Sequence, residues 1–205
     1  LVVSGPKRLR PEARREQIIE ATLELVAQHG VRGATVARIA DRVGVTTPAL
    51  YAHFANRREV LLSALSVVFK RIRAIHEVAA EETNALERLR LIAHLHSRLV
   101  LSESDGFVSV LFEFIAASPA EGLRDALGEG NLVLVDDLAE IVRLGQQQGT
   151  IVPEADPEQI AWLIVSRSWT EDVSRLMGLS GHWNEDRSNE MLAIILDSVA
   201  MPASG

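Results

Sequence analysis

Residues 35–54 constrain the fold of this chain more than any other stretch. Two helical patterns meet there at Gly44, each opened by a threonine, Thr35 and Thr46. The second pattern runs for only about eight residues, too few to offset the nucleation cost of an isolated helix, so packed neighbours must hold it in place. Two short helices joined at a glycine turn form a helix-turn-helix, and a propped-up, exposed second helix is chiefly useful for entering a DNA groove.

The flanking residues supply those neighbours. Pro11 and the acidic residues after it suit a first helix turn, Ile18, Ile19, Thr22, Leu25 and Val26 keep helical spacing, and Gly30 ends the pattern. The second helix buries Ile39, Ala40 and Val43; the third, capped by Thr46 with Pro48 in its first turn, turns Leu50 and Phe54 inward. Asn56 and Glu59 have the spacing of a capping box, opening a long fourth helix through Val60, Leu61, Ala64, Leu65, Val68, Phe69 and Ile72.

Nothing beyond it has the alternation of a strand, so the fold class is all-α. Helices are expected from about residues 83 to 102, from 107 to 117, from 118 to 148 with a bend or break at Gly128 and Gly130, from 157 to 177, and from 189 to 199. The chain therefore divides into a basic arm at residues 1–10, a helix-turn-helix domain at 11–55 and a larger helical domain at 56–205, with the helix at about 57–73 as connector.

Charge follows the same division. Residues 1–73 contain 13 Lys and Arg against 6 Asp and Glu, a local +7, while the remainder carries 8 against 22, a local −14, and the two add to the net −7. A basic amino-terminal third on an acidic body suits a small phosphate-facing domain attached to one that phosphate repels. The absence of cysteine from the 205 residues excludes disulfides, thiolate zinc sites and cysteine nucleophiles. No apolar run reaches the ~18 residues of a membrane span, and the first residues lack the order of a signal peptide, so a cytoplasmic protein is expected.

Catalytic and metal constellations are missing from the sequence. His94 and His96, two apart on a helix, point about 200° from each other and do not converge on one ion. His76-Glu77 lacks the second histidine of a zinc-protease helix, Gly128-Glu129-Gly130 lacks the third glycine and preceding strand of a dinucleotide loop, and Ser180 lacks the spacing of a nucleophile elbow. No catalytic residue, metal ligand or cofactor is therefore assigned. Phe107, Leu111, Phe112, Phe114, Trp162, Trp169 and Met177 have the character of an apolar ligand cavity, with His94, Arg98, Arg167 or Glu113 to orient a ligand; each also suits plain core. Trp162, Val165, Trp169, Leu192, Ile195, Leu196 and Val199 equally suit a dimer seam, and the sequence does not separate the two uses.

Thr46, Thr47, Pro48 and Ala49 stand at the amino end of the third helix, where side chains and free backbone N–H groups meet base edges and phosphates. Thr47 can donate, accept and present a methyl, and Pro48 and Ala49 suit thymine methyls. None of the four makes a long bidentate base contact, so affinity is expected to depend on two half-sites and on phosphates. The hydroxyl of Thr35 suits a phosphate, and Lys7, Arg8 and Arg10 a minor groove.

Residues 35–40, Gly44-Val45-Thr46, Leu50 through Phe54, and 56–61, in that order and spacing, resemble the amino-terminal domain of the TetR family of bacterial transcriptional regulators. The likeness runs from about residue 12 to 65. Gly145 and Gly149, followed by Asp156-Pro157-Glu158 ahead of Ala161-Trp162-Leu163, are similar to the regulatory domain of many members. The resemblance implies a homodimeric repressor of a pseudo-palindromic operator on double-stranded DNA, released by an apolar small-molecule effector. It makes residues 56–205 the effector-binding and dimerisation domain, with the last two helices of each subunit forming a four-helix bundle. By the same analogy Tyr51 or His53 hydrogen-bonds a phosphate, and Arg57 stands where members often carry a lysine for a backbone contact. The reading from another class is an all-helical small-molecule-binding protein or enzyme whose helix-turn-helix serves packing or protein contact. An activator remains open beside a repressor.

Overall fold

Most helix starts in the computed structural model, which describes residues 10–102 and 106–202, are set by a side chain that accepts a hydrogen bond from the first turn. Thr35 Oγ1 accepts from Arg38 N at 3.3 Å and Thr46 Oγ1 from Ala49 N at 3.3 Å. Asn56 Oδ1 accepts from Glu59 N at 2.9 Å while the Glu59 carboxylate reaches back to Ala55 N at 2.6 Å. Asn84, Asp156 and Asn184 cap three later helices in the same way. Each satisfies donors that a helix otherwise leaves bare.

The order is α1 (Pro11–Gly33), α2 (Val36–Val43), α3 (Thr47–Tyr51), α4 (Arg57–Ala79), α5 (Ala85–Ser102), α6 (Gly106–Ala116), a single 3-10 turn (Pro119–Glu121), α7 (Leu123–Gln148), α8 (Pro157–Leu176) and α9 (Glu185–Asp197). Among the described residues the β pairing recorded is one isolated antiparallel bridge, Ile151 with Ala200. The all-α expectation holds.

Three boundaries differ from the sequence reading. The first helix breaks at Gly30 (φ 68°), as expected, but resumes for another turn to Gly33. No break occurs at Gly128 and Gly130: α7 is continuous, and the chain turns earlier, at Gly122 (φ 66°). Gly130 has a packing role: a Cβ there would collide with the ring of Phe69 on α4. Finally, α9 starts four residues before the expected residue 189, because Asn184 supplies a cap inside the polar stretch that looked like loop.

Contacts group the chain into two compact units, residues 1–67 with 109–126, and residues 68–108 with 127–205. In the first, Ile18, Val26, Ile39, Leu50, Phe54, Leu61 and Phe114 are almost fully buried. The second has a core of Leu89, Ala93, Val135, Val142, Ile151, Ala161, Ile164 and Leu196. It also encloses a polar network. Glu171 accepts from Ser97 at 2.9 Å, from Arg167 at 3.3 Å and from Ser188 at 3.3 Å, and Arg167 also donates to Ser188. These four residues, all buried, tie α5, α8 and α9 together. Burial lowers the Arg167 pKa and the Glu171 carboxylate opposes that shift.

Candidate nucleic-acid interface

Gly44, with φ 72°, takes the left-handed conformation that lets α2 stop and α3 start at once in a new direction. Pro48 presets the first turn of α3 and Thr46 caps it, so five residues hold a helical shape. The support lies underneath. Leu50 and Phe54 are 0% and 2% exposed. Arg15 of α1 stacks its guanidinium 4.1 Å above the Phe54 ring and donates to His53 O at 2.9 Å and Ser63 Oγ at 3.0 Å. A cation over an aromatic face combined with directed hydrogen bonds fixes the corner between α3 and α4.

The opposite side of α3 is uncovered. Thr46, Pro48, Ala49 and Tyr51 are exposed, Thr47 and His53 half-buried, and Thr35 is exposed at the start of α2. Tyr51, at 44% exposure, presents a large polar-tipped ring to solvent. The structure thus gathers the amino end of α3, Tyr51 and His53 on one short element and keeps Thr35 on the neighbouring one. Arg42 is paired with Glu24 of α1 at 2.6 Å, and Arg38 bonds Gly33 O at 3.3 Å, so both serve the domain's own surface. Of the basic arm, Arg10 is exposed before α1, while Lys7 and Arg8 lie outside the described residues.

Arg57 is placed differently from a phosphate ligand. Its guanidinium turns inward, donating to both Glu121 carboxylate oxygens at 2.7 and 3.0 Å, to Ala34 O at 3.1 Å and to Val31 O. Glu113 accepts from Val31 N at 3.1 Å. Gly30 suits the turn by its positive φ, and a Cβ there would stand 2.6 Å from Glu113 Oε2, so the carboxylate would have to shift. Two carboxylates from the segment 109–126 therefore grip the turn between α1 and α2, directly and through Arg57. Sequence reading missed both, since Glu113 and Glu121 are 82 and 64 positions from their partners.

The expected ligand-binding residues do not converge on one described cavity. Leu111 and Phe114 are buried in the first unit, and the side chain of Phe107 lies outside the described residues. In the second unit His94 faces Glu185 at 3.3 Å, Arg98 is exposed, and Trp162 and Trp169 meet edge to face with centroids 6.1 Å apart. Glu113 and Arg167, considered as orienting groups, belong to the turn and to the buried network.

The residues expected at a dimer seam are largely buried within the single chain. Val165, Leu192, Leu196 and Val199 are at most 8% exposed and Ile195 packs against the same core, so they face their own protomer. The uncovered apolar residues of α8 and α9 are instead Leu163, Trp169, Leu176, Met191 and Ile194, the last 71% exposed. Met191 and Ile194 lie three apart on one side of α9, beside its buried stripe. Among the described residues no helix is long and apolar enough to cross a membrane, and no group of three or more His, Asp or Glu has the arrangement of a metal site.

Residues 18–64 match the family model of bacterial regulatory proteins, tetR family. The tetracycline repressor protein class C of Escherichia coli is 37% identical over 92 residues, 45% of this chain and 42% of that protein. The probable acrEF/envCD operon repressor of Escherichia coli K12 is 28% identical over 188 residues, 86% of this chain and 83% of that protein. Among solved structures, the transcriptional regulator FadR from Bacillus subtilis in complex with stearoyl-CoA superposes with a TM-score of 0.75 at 23% identity, covering 90% of this chain and 98% of that one. The identity of that structural match is low enough that it speaks to fold alone.

Proposed function

We propose that this chain, whose residues 18–64 match the family model of the TetR regulators, is a dimeric repressor of that family that binds a pseudo-palindromic operator and leaves it when a small molecule binds. The observation that carries this is the bare outer side of α3, an exposed Thr46, Pro48, Ala49 and Tyr51 over a buried Leu50 and Phe54. Such a helix enters a major groove with its amino end toward the bases, and Tyr51, His53 and Thr35 suit flanking phosphates. Arg57 supports the interface from behind. Two copies would read half-sites about one helical turn, ~34 Å, apart or a multiple of it. The second copy would cover Leu163, Met191 and Ile194 on α8 and α9, apolar surface that water otherwise meets. The protein would act in the cytoplasm, where the DNA is.

Release requires an effector that prefers the conformation in which the two α3 helices are misplaced, and it can shift DNA binding by no more than that preference. The helix α4 runs from the first unit into the second, and the segment 109–126 holds the α1–α2 turn through Glu113 and Glu121. We assign these as the mechanical link. A structural neighbour of the same fold is solved in complex with stearoyl-CoA. The reading as an enzyme or plain small-molecule binder is not favoured, because the relatives are transcription regulators, and no catalytic step is part of the proposal.

Selection from a pool of randomised duplexes tests it. The expected product is an inverted repeat, bound by one dimer. Recovery of unrelated sequences with no repeat would overturn the proposal.

A further inference from the structure

A cleft of about 390 Å³ opens in the second unit among the ends of α4, α5 and α7. It contains none of the residues expected to bind a ligand. Its size falls in the range of small-molecule sites. Two of its polar atoms are buried and have no hydrogen-bond partner within the chain, Arg88 Nε and His76 Nδ1. An arginine Nε–H can only donate, so the first calls for an acceptor. The cost of leaving such a donor bare is removed by a ligand that brings one.

The charges decide what kind of ligand. Arg73 and Arg88 line the cleft together with Glu77, Asp137 and Glu140. Glu140 is bonded to Arg143 at 2.7 Å, outside the cleft lining. That leaves two cations facing two carboxylates. Burial lowers the pKa of His76, and Arg88, Arg73 and His96 act in the same direction against Asp137, so its ring adds no charge near neutral pH. A purely anionic ligand would meet Asp137 and Glu77, and a purely cationic one would meet the two arginines. A molecule with both signs meets neither penalty. Ile141 and Leu144 add an apolar wall beside the charged groups.

We propose that this cleft binds a small zwitterion of the amino-acid class, its carboxylate on Arg88 and Arg73, its ammonium toward Asp137, and its side chain against Ile141 and Leu144. Binding depends only on the cleft; the ligand's use as an effector rests on the regulatory function proposed above. The intact protein is screened by thermal shift against each of the twenty common amino acids, and the strongest is titrated by calorimetry beside its amide, which lacks the carboxylate, and its deaminated acid, which lacks the ammonium. The expected result is saturable one-to-one binding, weakened about tenfold or more by loss of either group. Arg88→Gln weakens the parent amino acid but does not weaken its cationic amide, and Asp137→Asn weakens the parent but does not weaken its deaminated acid, since each substitution also removes the charge that repels that analogue. The inference is overturned if none of the twenty binds, if either analogue binds as tightly as the parent, or if both variants bind like the wild type. Retardation of the selected duplex without ligand is measured on the same preparation, so a protein that grips DNA but no amino acid loses this inference alone.

Discussion

The helices α3 and α8 are specified in opposite ways. The ends and direction of the five-residue α3 are set within a few positions of it: Gly44 in the left-handed region, Thr46 on Ala49 N, Pro48 in the first turn. The helix α8 has a comparable cap in Asp156, but the groups it buries, Arg167 and Glu171, bond to Ser97 and Ser188, 74 and 17 positions from Glu171. Local signals give a helix its ends and direction. Polar groups on a buried face instead commit it to particular neighbours, and removing one leaves another stranded.

Substitutions can break that contrast. Arg167→Ala strands the Glu171 carboxylate among buried groups and should cost about 3–5 kcal/mol, read by denaturant unfolding of the dimer; a loss under ~1 kcal/mol would show that the network adds little. Arg57→Ala removes the hydrogen bonds to Val31, Ala34 and Glu121, and should cost about 2–3 kcal/mol while weakening DNA binding, because the α1–α2 turn loses a brace. Calorimetric melting and duplex affinity are measured on the same protein, and a variant with lowered affinity at unchanged stability would return Arg57 to the phosphate role. Thr46→Ala removes a local cap, and about 1 kcal/mol is expected. If it equals Arg167→Ala, the division between local and tertiary specification fails.

The smallest effect concerns pH. His76 has a pKa held below its ordinary value first by burial, so as pH falls below about 6.5 the unfolded chain takes up the proton before the folded one does. Its contribution is fully present above that pH and declines as the pH drops toward the folded value. His76→Gln should flatten the fall in melting temperature between about pH 7 and pH 5. A parallel curve for the variant would remove His76 from the account.

The same contrast explains what was legible in the sequence. Thr35, Gly44, Thr46 and Asn56 could be read because each acts on a neighbour in the chain. The start of α9 was missed because Asn184 sits in a polar, glycine-containing stretch whose loop-like composition masked one good cap. The stripe Leu192, Leu196 and Val199 was identified as one face, yet α9 carries a second apolar stripe at Met191 and Ile194, and periodicity says only that there are faces, not which one meets the protomer's own core. The inward contacts of Arg57 and the packing of Gly130 were not legible for a related reason. One is turned by Glu121 and the other is crowded by Phe69, both far along the chain.

The central claim is that the bare side of α3 grips DNA, and its most direct test is retardation of the selected duplex in rising salt by wild type and by Tyr51→Ala. Wild-type affinity should fall steeply with salt as phosphate contacts release counterions, and the variant should bind about fivefold to tenfold more weakly with the same salt slope, since the Tyr51 hydroxyl carries no charge. Equal retardation by the two proteins at moderate salt would remove Tyr51 from the interface. Failure of the folded wild-type protein to retard the duplex even at low salt would contradict the claim itself.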